Sequence, residues 1–204
     1  MGLEEELKKL PSFSAELGLD LRRPEDRFRW FLASMLFAKR ISADIAKRAF
    51  RCLVERGLDT PERIVGAGWD ALVEALDAGG YVRYDFSTAT NILEAARKLL
   101  EEYGGSIDEL HERSASPEEL EERLMAFRGV GPVAVNIFLR ELRGIWPKAR
   151  PKPSKIALEA ARAIGLSEEE VPRFEAQLVR LFLEFCKRRK CAECPLKAFC
   201  ERKR

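Results

Sequence analysis

Four of the chain's five cysteines crowd near the C-terminus as Cys186-x4-Cys191-x2-Cys194-x5-Cys200. In a reducing compartment disulfides are disfavoured, so four thiols on one short loop point to shared metal ligation. Zinc sites usually pair two short knuckles across a longer loop, whereas a single compact loop of four thiolates suits an iron–sulfur cluster. The cluster is the expected cofactor and zinc is the alternative. A second constellation is Phe127-Arg128-Gly129-Val130-Gly131, set between two helical segments and followed by Pro132. Its glycines accept positive φ and let the backbone approach a ligand closely. Pro132 suits the first helical position, and the free N–H groups of that helix end form a phosphate site. Gly129, Val130 and Gly131 are therefore candidate phosphate-binding residues.

The remaining chemistry is sparse. His111 is the only histidine and lies in an acidic stretch, where it reads as a surface residue; no histidine-based triad is available. Cys52 falls on the apolar stripe of its helix and reads as a small core residue. Net charge is only +2, but its distribution is uneven. Residues 101–123 carry nine acids against two arginines, and residues 186–204 carry eight Lys/Arg against Glu193 and Glu201. Residues 140–155 carry Arg140, Arg143, Lys148, Arg150, Lys152 and Lys155 against Glu141 alone. Basic charge gathered in the last third is the pattern of a face that meets a polyanion.

The elements that must hold these groups are helical. The 204 residues, 46% apolar, suffice for a real core in one or two lobes. Ser42, Thr60 and Ser116 are placed as N-caps, the last in a capping box with Glu119, while Gly57, Gly79-Gly80, Gly104-Gly105 and Gly165 mark stops. About nine or ten helices are expected, over ranges such as 28–37, 42–55, 87–103, 135–142, 154–164 and 171–186, with no alternating strand. Three prolines between Pro147 and Pro153 make that stretch an extended connection. No apolar run approaches the roughly 20 residues of a membrane span, and the acidic N-terminus is unlike a secretory signal. The expected setting is cytoplasmic, on the nucleoid if the source is prokaryotic, with no membrane partner.

Gly129-Val130-Gly131-Pro132-Val133-Ala134-Val135-Asn136, the Trp146-Pro147 dipeptide and the terminal cysteine loop together resemble the helix-hairpin-helix DNA glycosylase superfamily, in its endonuclease III-like branch with a 4Fe–4S loop. The likeness runs over about residues 24 to 200. It implies an all-α fold of two lobes: a six-helix lobe over 24–139 ending in the hairpin, and a second lobe from 1–23 plus 140–204 carrying the cluster. Double-stranded DNA, damaged or distorted, would lie in the cleft between them, bound by a monomer. Carried over by position, Lys39 stands where the family fills the gap left by a flipped base, and Tyr81 near the residue that wedges into the duplex. Lys152 and Lys155 join them as DNA-binding candidates. The first cysteine interval, four residues here, is shorter than the family's, which reshapes the basic loop while leaving four thiolates.

The catalytic positions depart from the pattern. Val133 occupies the place of the lyase lysine, Lys152 or Pro153 that of the aspartate, and Ala33 that of the adenine-excising branch's glutamate. No acid occurs from Leu142 through Leu158. Cleaving an N-glycosidic bond builds positive charge on the sugar, which a carboxylate stabilises and a lysine opposes. Two mechanisms follow. One is monofunctional excision of already cationic, alkylated bases, with Asp85, Asp44 or Glu141 as substitute carboxylate and Asp85 preferred. The other is a catalytically inactive lesion sensor or architectural DNA-binding protein. A zinc-stabilised DNA-binding module is a third possibility. Lyase activity is not expected.

Overall fold

Helix starts follow the side-chain caps. In a computed structural model describing residues 2–201, Ser42 accepts from the Ile45 amide, Thr60 from Arg63 and Ser116 from Glu119, opening α4 (Ala43–Glu55), α5 (Pro61–Ala78) and α8 (Pro117–Met125). The reciprocal arm of the Ser116 box shifts by one residue: the Glu119 carboxylate takes the Ala115 amide at 2.6 Å. Between these come α1 (Leu3–Lys8), α2 (Phe13–Glu16), α3 (Pro24–Phe37), α6 (Asp85–Tyr103), α7 (Ile107–Arg113), α9 (Pro132–Arg140), α10 (Lys155–Ala163) and α11 (Val171–Leu181). The described residues contain no strand, and the chain is all-α. None of these helices is long and apolar enough to cross a membrane.

Two expected elements differ in detail. The pair of helices expected between Pro61 and Gly79 is one element, bent where Gly68 takes φ 82°, ψ −174°, a conformation reserved for glycine. The helix expected over 171–186 keeps α geometry only to Leu181, then widens into a π turn, Phe182–Cys186.

The chain forms two units, Met1–Glu16 with Pro151–Arg204, and Leu17–Arg150; the sequence reading drew these boundaries after residues 23 and 139. The larger unit holds α3 to α9 around an aromatic centre. Phe31 meets Phe127 and Phe138 edge-on at 5.5 and 5.4 Å, and Phe138 meets Trp146 at 5.5 Å. Trp30 Nε1–H donates to the Phe138 carbonyl, tying α3 to α9. Arg27 grips Asp108 through two bonds of 2.6 and 2.8 Å, and the Trp146 indole donates to the same carboxylate. A bidentate, half-buried pair of this kind fixes orientation as well as contributing energy.

The smaller unit is built from α1, α2, α10, α11 and the cysteine loop. Arg180 reaches the Pro11 carbonyl and the Glu16 carboxylate, both at 3.0 Å, joining α11 to the N-terminal segment. The Ser154 amide opening α10 donates to Glu175, a buried carboxylate of α11. The loop after α11 is anchored by fully buried Leu196, and the Glu201 amide donates to the Ala163 carbonyl.

Candidate nucleic-acid interface

The hairpin joins α8 to α9 and is held from below. Val130 is buried as its apolar foot, and its amide donates to the Phe127 carbonyl. Gly129 has φ +78°, and its Cα faces the Asn91 side chain so closely that a Cβ would collide with it. Gly131 is different. Its φ of −108° is open to any residue, and a Cβ there meets nothing within 4 Å. One glycine is therefore required by the fold, while the other leaves an open face above the start of α9. Pro132 sits at the first helical position. Among the described residues the amides of Gly129, Gly131, Val133 and Ala134 donate no hydrogen bond within the protein. Free donors at and just before the positive end of a helix are what an anionic oxygen needs.

Two more loops of the same unit lie together. The Tyr81 hydroxyl donates to the Leu36 carbonyl at 2.8 Å, pinning the turn after α5 to the C-terminal end of α3, just before Lys39. Tyr81 is fully buried, and burial raises its phenol pKa above the ordinary range. It cannot wedge into a duplex without leaving the core, so its place near the family's wedge position is corrected to a structural one. Its neighbour Val82 is 64% exposed. The turn is fixed by Gly79, where a Cβ would strike the Ala49 backbone of α4.

Around these loops stand Lys39, which the sequence reading named, and four cations that it missed, Arg40, Arg48, Arg83 and Arg128. None of the five forms an ion pair among the described residues, unlike most arginines of this unit. They are scattered in sequence, so no charge run signals them. The expected basic stretch 140–155 is used otherwise in part. Arg140 is buried, and Lys148 donates to the Ser114 and Glu112 carbonyls. Lys152 and Lys155 are exposed and belong to the smaller unit.

The carboxylates give a mixed picture. Asp44 is paired with Lys47 at 3.0 Å. Glu141 is the half-buried C-cap of α9. Asp85 accepts from the Phe86 amide at 2.7 Å and lies against Asp77. Lost hydration and a hydrogen bond shared with Asp85 raise the Asp77 carboxyl above its ordinary pKa. Val133, at the lyase-lysine position, is 61% exposed. His111 corrects the surface expectation: it is buried, stacked on Trp146 at 4.6 Å, and desolvation followed by nearby Lys148 lowers its pKa. Cys52 is half-buried rather than in the core.

Of the four C-terminal cysteines, Cys191 is exposed while Cys186, Cys194 and Cys200 are half-buried. Burial raises the Cys194 thiol, and Cys200 and Cys191 are near enough to raise it further. Among the described residues no three His, Cys, Asp or Glu side chains converge on a point that would hold one metal ion.

No family model and no curated protein matches the chain. Among solved structures, it is similar to a trapped endonuclease III–DNA covalent intermediate, an estranged-adenine complex. The TM-score is 0.55 and the identity 16%, over 98% of this chain and 97% of that one. The likeness is one of fold: an all-helical, endonuclease III-like architecture.

Proposed function

We propose that the protein is a monomeric DNA-binding protein of base-excision-repair type that recognises damaged or distorted duplex DNA through the hairpin. The observation that carries this is the set of unpaired amides at Gly129, Gly131, Val133 and Ala134, over which the Gly131 face is open. The amides hold one backbone phosphate. Lys39, Arg40, Arg48, Arg83 and Arg128 replace counterions around it, and Lys152 and Lys155 add exposed cations. The exposed side chain of Val82 takes over from Tyr81 as the wedge. The fold shared with a DNA-bound endonuclease III supports the choice of ligand.

Lyase chemistry needs an amine to attack C1′ of the sugar, and Val133 supplies none. Recognition without cleavage therefore stands first. The Asp77–Asp85 pair favours a second mechanism, monofunctional excision of an alkylated purine. There the bond between C1′ and the cationic base breaks, its electron pair neutralises the departing base, and water adds to C1′ as its proton passes to the Asp85 carboxylate.

The cysteines fit a 4Fe–4S cluster better than one zinc. A zinc needs its sulfurs within about 2.3 Å of a single point. A cluster is a larger body taking one thiolate per iron, which suits four cysteines on one compact loop with Cys191 and Cys200 near Cys194. Cys186, Cys191, Cys194 and Cys200 would hold it, and its contribution would be to order the basic loop around Lys187–Lys190.

The deciding experiment is duplex binding by Gly131→Asp, which sets a charge where the phosphate sits. Affinity should fall at least tenfold on matched, mismatched and abasic duplex alike. Unchanged binding would reduce the hairpin to a turn. Borohydride trapping on uracil, thymine glycol or oxidised guanine duplexes should give no covalent adduct. Release of 7-methylguanine that is lost in Asp85→Asn would establish the second mechanism; no release, with tighter binding to abasic than to matched duplex, would establish the first.

A further inference from the structure

The outer face of α5 and α6 carries a feature that DNA binding does not use. Past the Gly68 bend, Trp69 is 37% exposed, and Phe86 of α6 is 60% exposed. Their rings lie 5.4 Å apart, tilted at 37°. The pair is held rather than loose: the Trp69 indole N–H donates to the Thr90 hydroxyl at 3.0 Å, and that hydroxyl donates to the Phe86 carbonyl. The chain's other tryptophans, Trp30 and Trp146, are buried. Exposing two large aromatic rings side by side is costly in water, and fixed, contiguous aromatic surface of this kind marks a recognition site.

The charge around the rings is acidic. Between Ile64 and Ala96 the chain has Asp70, Glu74, Asp77, Asp85 and Glu94 against Arg83, which lies over the Tyr84 ring; from outside that stretch Arg56 pairs with Glu74 at 3.3 Å and Arg97 with Glu94 at 3.7 Å. Asp70, Glu74 and Asp77 recur at helical spacing alongside Trp69 and Val73, so carboxylates flank the aromatic stripe of α5. Asp70 and Asp77 have no basic partner among the described residues, and Asp77 has only another carboxyl beside it. Asp70 and Asp77 are thus the carboxylates left on α5 to attract a cationic segment.

We propose that this face docks a second protein through a short amphipathic segment that carries apolar anchors for Trp69 and Phe86 and lysine or arginine for the Asp70–Asp77 edge. Apolar rings at the centre with charged groups at the rim is the ordinary anatomy of a protein interface, and the carboxylates select the sign of the partner. The proposal does not depend on the hairpin's binding DNA.

The test uses the 15N-labelled 204-residue chain as purified, titrated with a synthetic 14-residue amphipathic helical peptide of leucine and lysine. A twin in which every lysine is glutamate serves as control. The lysine peptide should shift the Trp69 indole N–H and the amides of residues 69–77 and 86–90, while the glutamate twin leaves them unmoved. Trp69→Ala with Phe86→Ala, and separately Asp70→Asn with Glu74→Gln, should each weaken peptide binding at least tenfold and keep wild-type duplex affinity. Should the aromatic variant fail to fold, the charge variant decides alone. The proposal is overturned by shifts centred elsewhere, by equal binding of both peptides, or by unchanged affinity in the variants. It is equally overturned if duplex DNA moves the Trp69 signal, or if those resonances report self-association of the free chain.

Discussion

At the scale of single residues, the same amino acid type does different work according to what its backbone and neighbours allow. Gly129 and Gly131 stand two positions apart, yet only the first has positive φ and a side chain pressed against it. Gly129→Ala should lower stability by about 1–3 kcal/mol through left-handed strain, with the Asn91 collision added. Gly131→Ala should leave stability within about 0.5 kcal/mol of wild type. It should nonetheless weaken duplex binding about tenfold, the worth of one disturbed charge-assisted hydrogen bond. Thermal melts and binding isotherms on the two variants separate these effects; a Gly131→Ala that melts early but binds normally would reverse the assignment. His111 gives a pH prediction. Its pKa is lower folded than unfolded, so stability is intact above pH 6.5 and declines as pH falls below it, where the unfolded chain takes up the proton more readily. Asp108 opposes the shift, and Lys148 and Arg27 reinforce it. His111→Phe keeps an aromatic ring against Trp146 and should flatten the decline in melting temperature between pH 7 and pH 5.

At the scale of elements, close helix packing places the loops proposed to meet DNA. The turn between α5 and α6 is set by Gly79 against the Ala49 backbone and by the Tyr81 hydroxyl on α3. Gly79→Ala puts a methyl into backbone rather than into a flexible side chain, and should cost about 3 kcal/mol in urea unfolding, near the top of the range for overpacking. Tyr81→Phe keeps the packed ring and removes one buried hydrogen bond, leaving the Leu36 carbonyl without it. A loss of about 1 kcal/mol is expected. If Val82 is the wedge, Val82→Ala should erase preference for abasic over matched duplex without unfolding the turn. A preference that survives would remove Val82 from the interface.

At the scale of the whole molecule, affinity should be governed by salt. The logarithm of the binding constant should fall linearly with the logarithm of salt, and Arg48→Ala or Arg128→Ala should each reduce that slope by roughly 0.9. A slope unchanged in both would place these cations off the DNA. Protein purified without oxygen should be brown, with about four irons and four acid-labile sulfides per chain. Each of Cys186→Ser, Cys191→Ser, Cys194→Ser and Cys200→Ser should lose it while Cys52→Ser does not. Colourless protein with stoichiometric zinc would favour the zinc module instead.

The sequence by itself determined the all-α class, the serine and threonine caps, the proline that opens α9 and the hairpin's glycine signature. These are local: caps, glycines and helical periodicity act within a turn or two of chain, so their consequences are visible in a short stretch. Tertiary structure alone decided whether Tyr81 or Val82 faces outward, because that depends on a carbonyl 45 positions away. It likewise decided that His111 is buried beneath Trp146, and that Arg140 and Lys148 of the basic stretch serve the fold. The unpaired cations Lys39, Arg40, Arg48, Arg83 and Arg128 come from different elements of one unit, so no window of sequence contains them together. The physical reason is common to all of these. A side chain's exposure and its partner are set by what packs on it from distant elements, and that geometry has no signature in neighbouring residues.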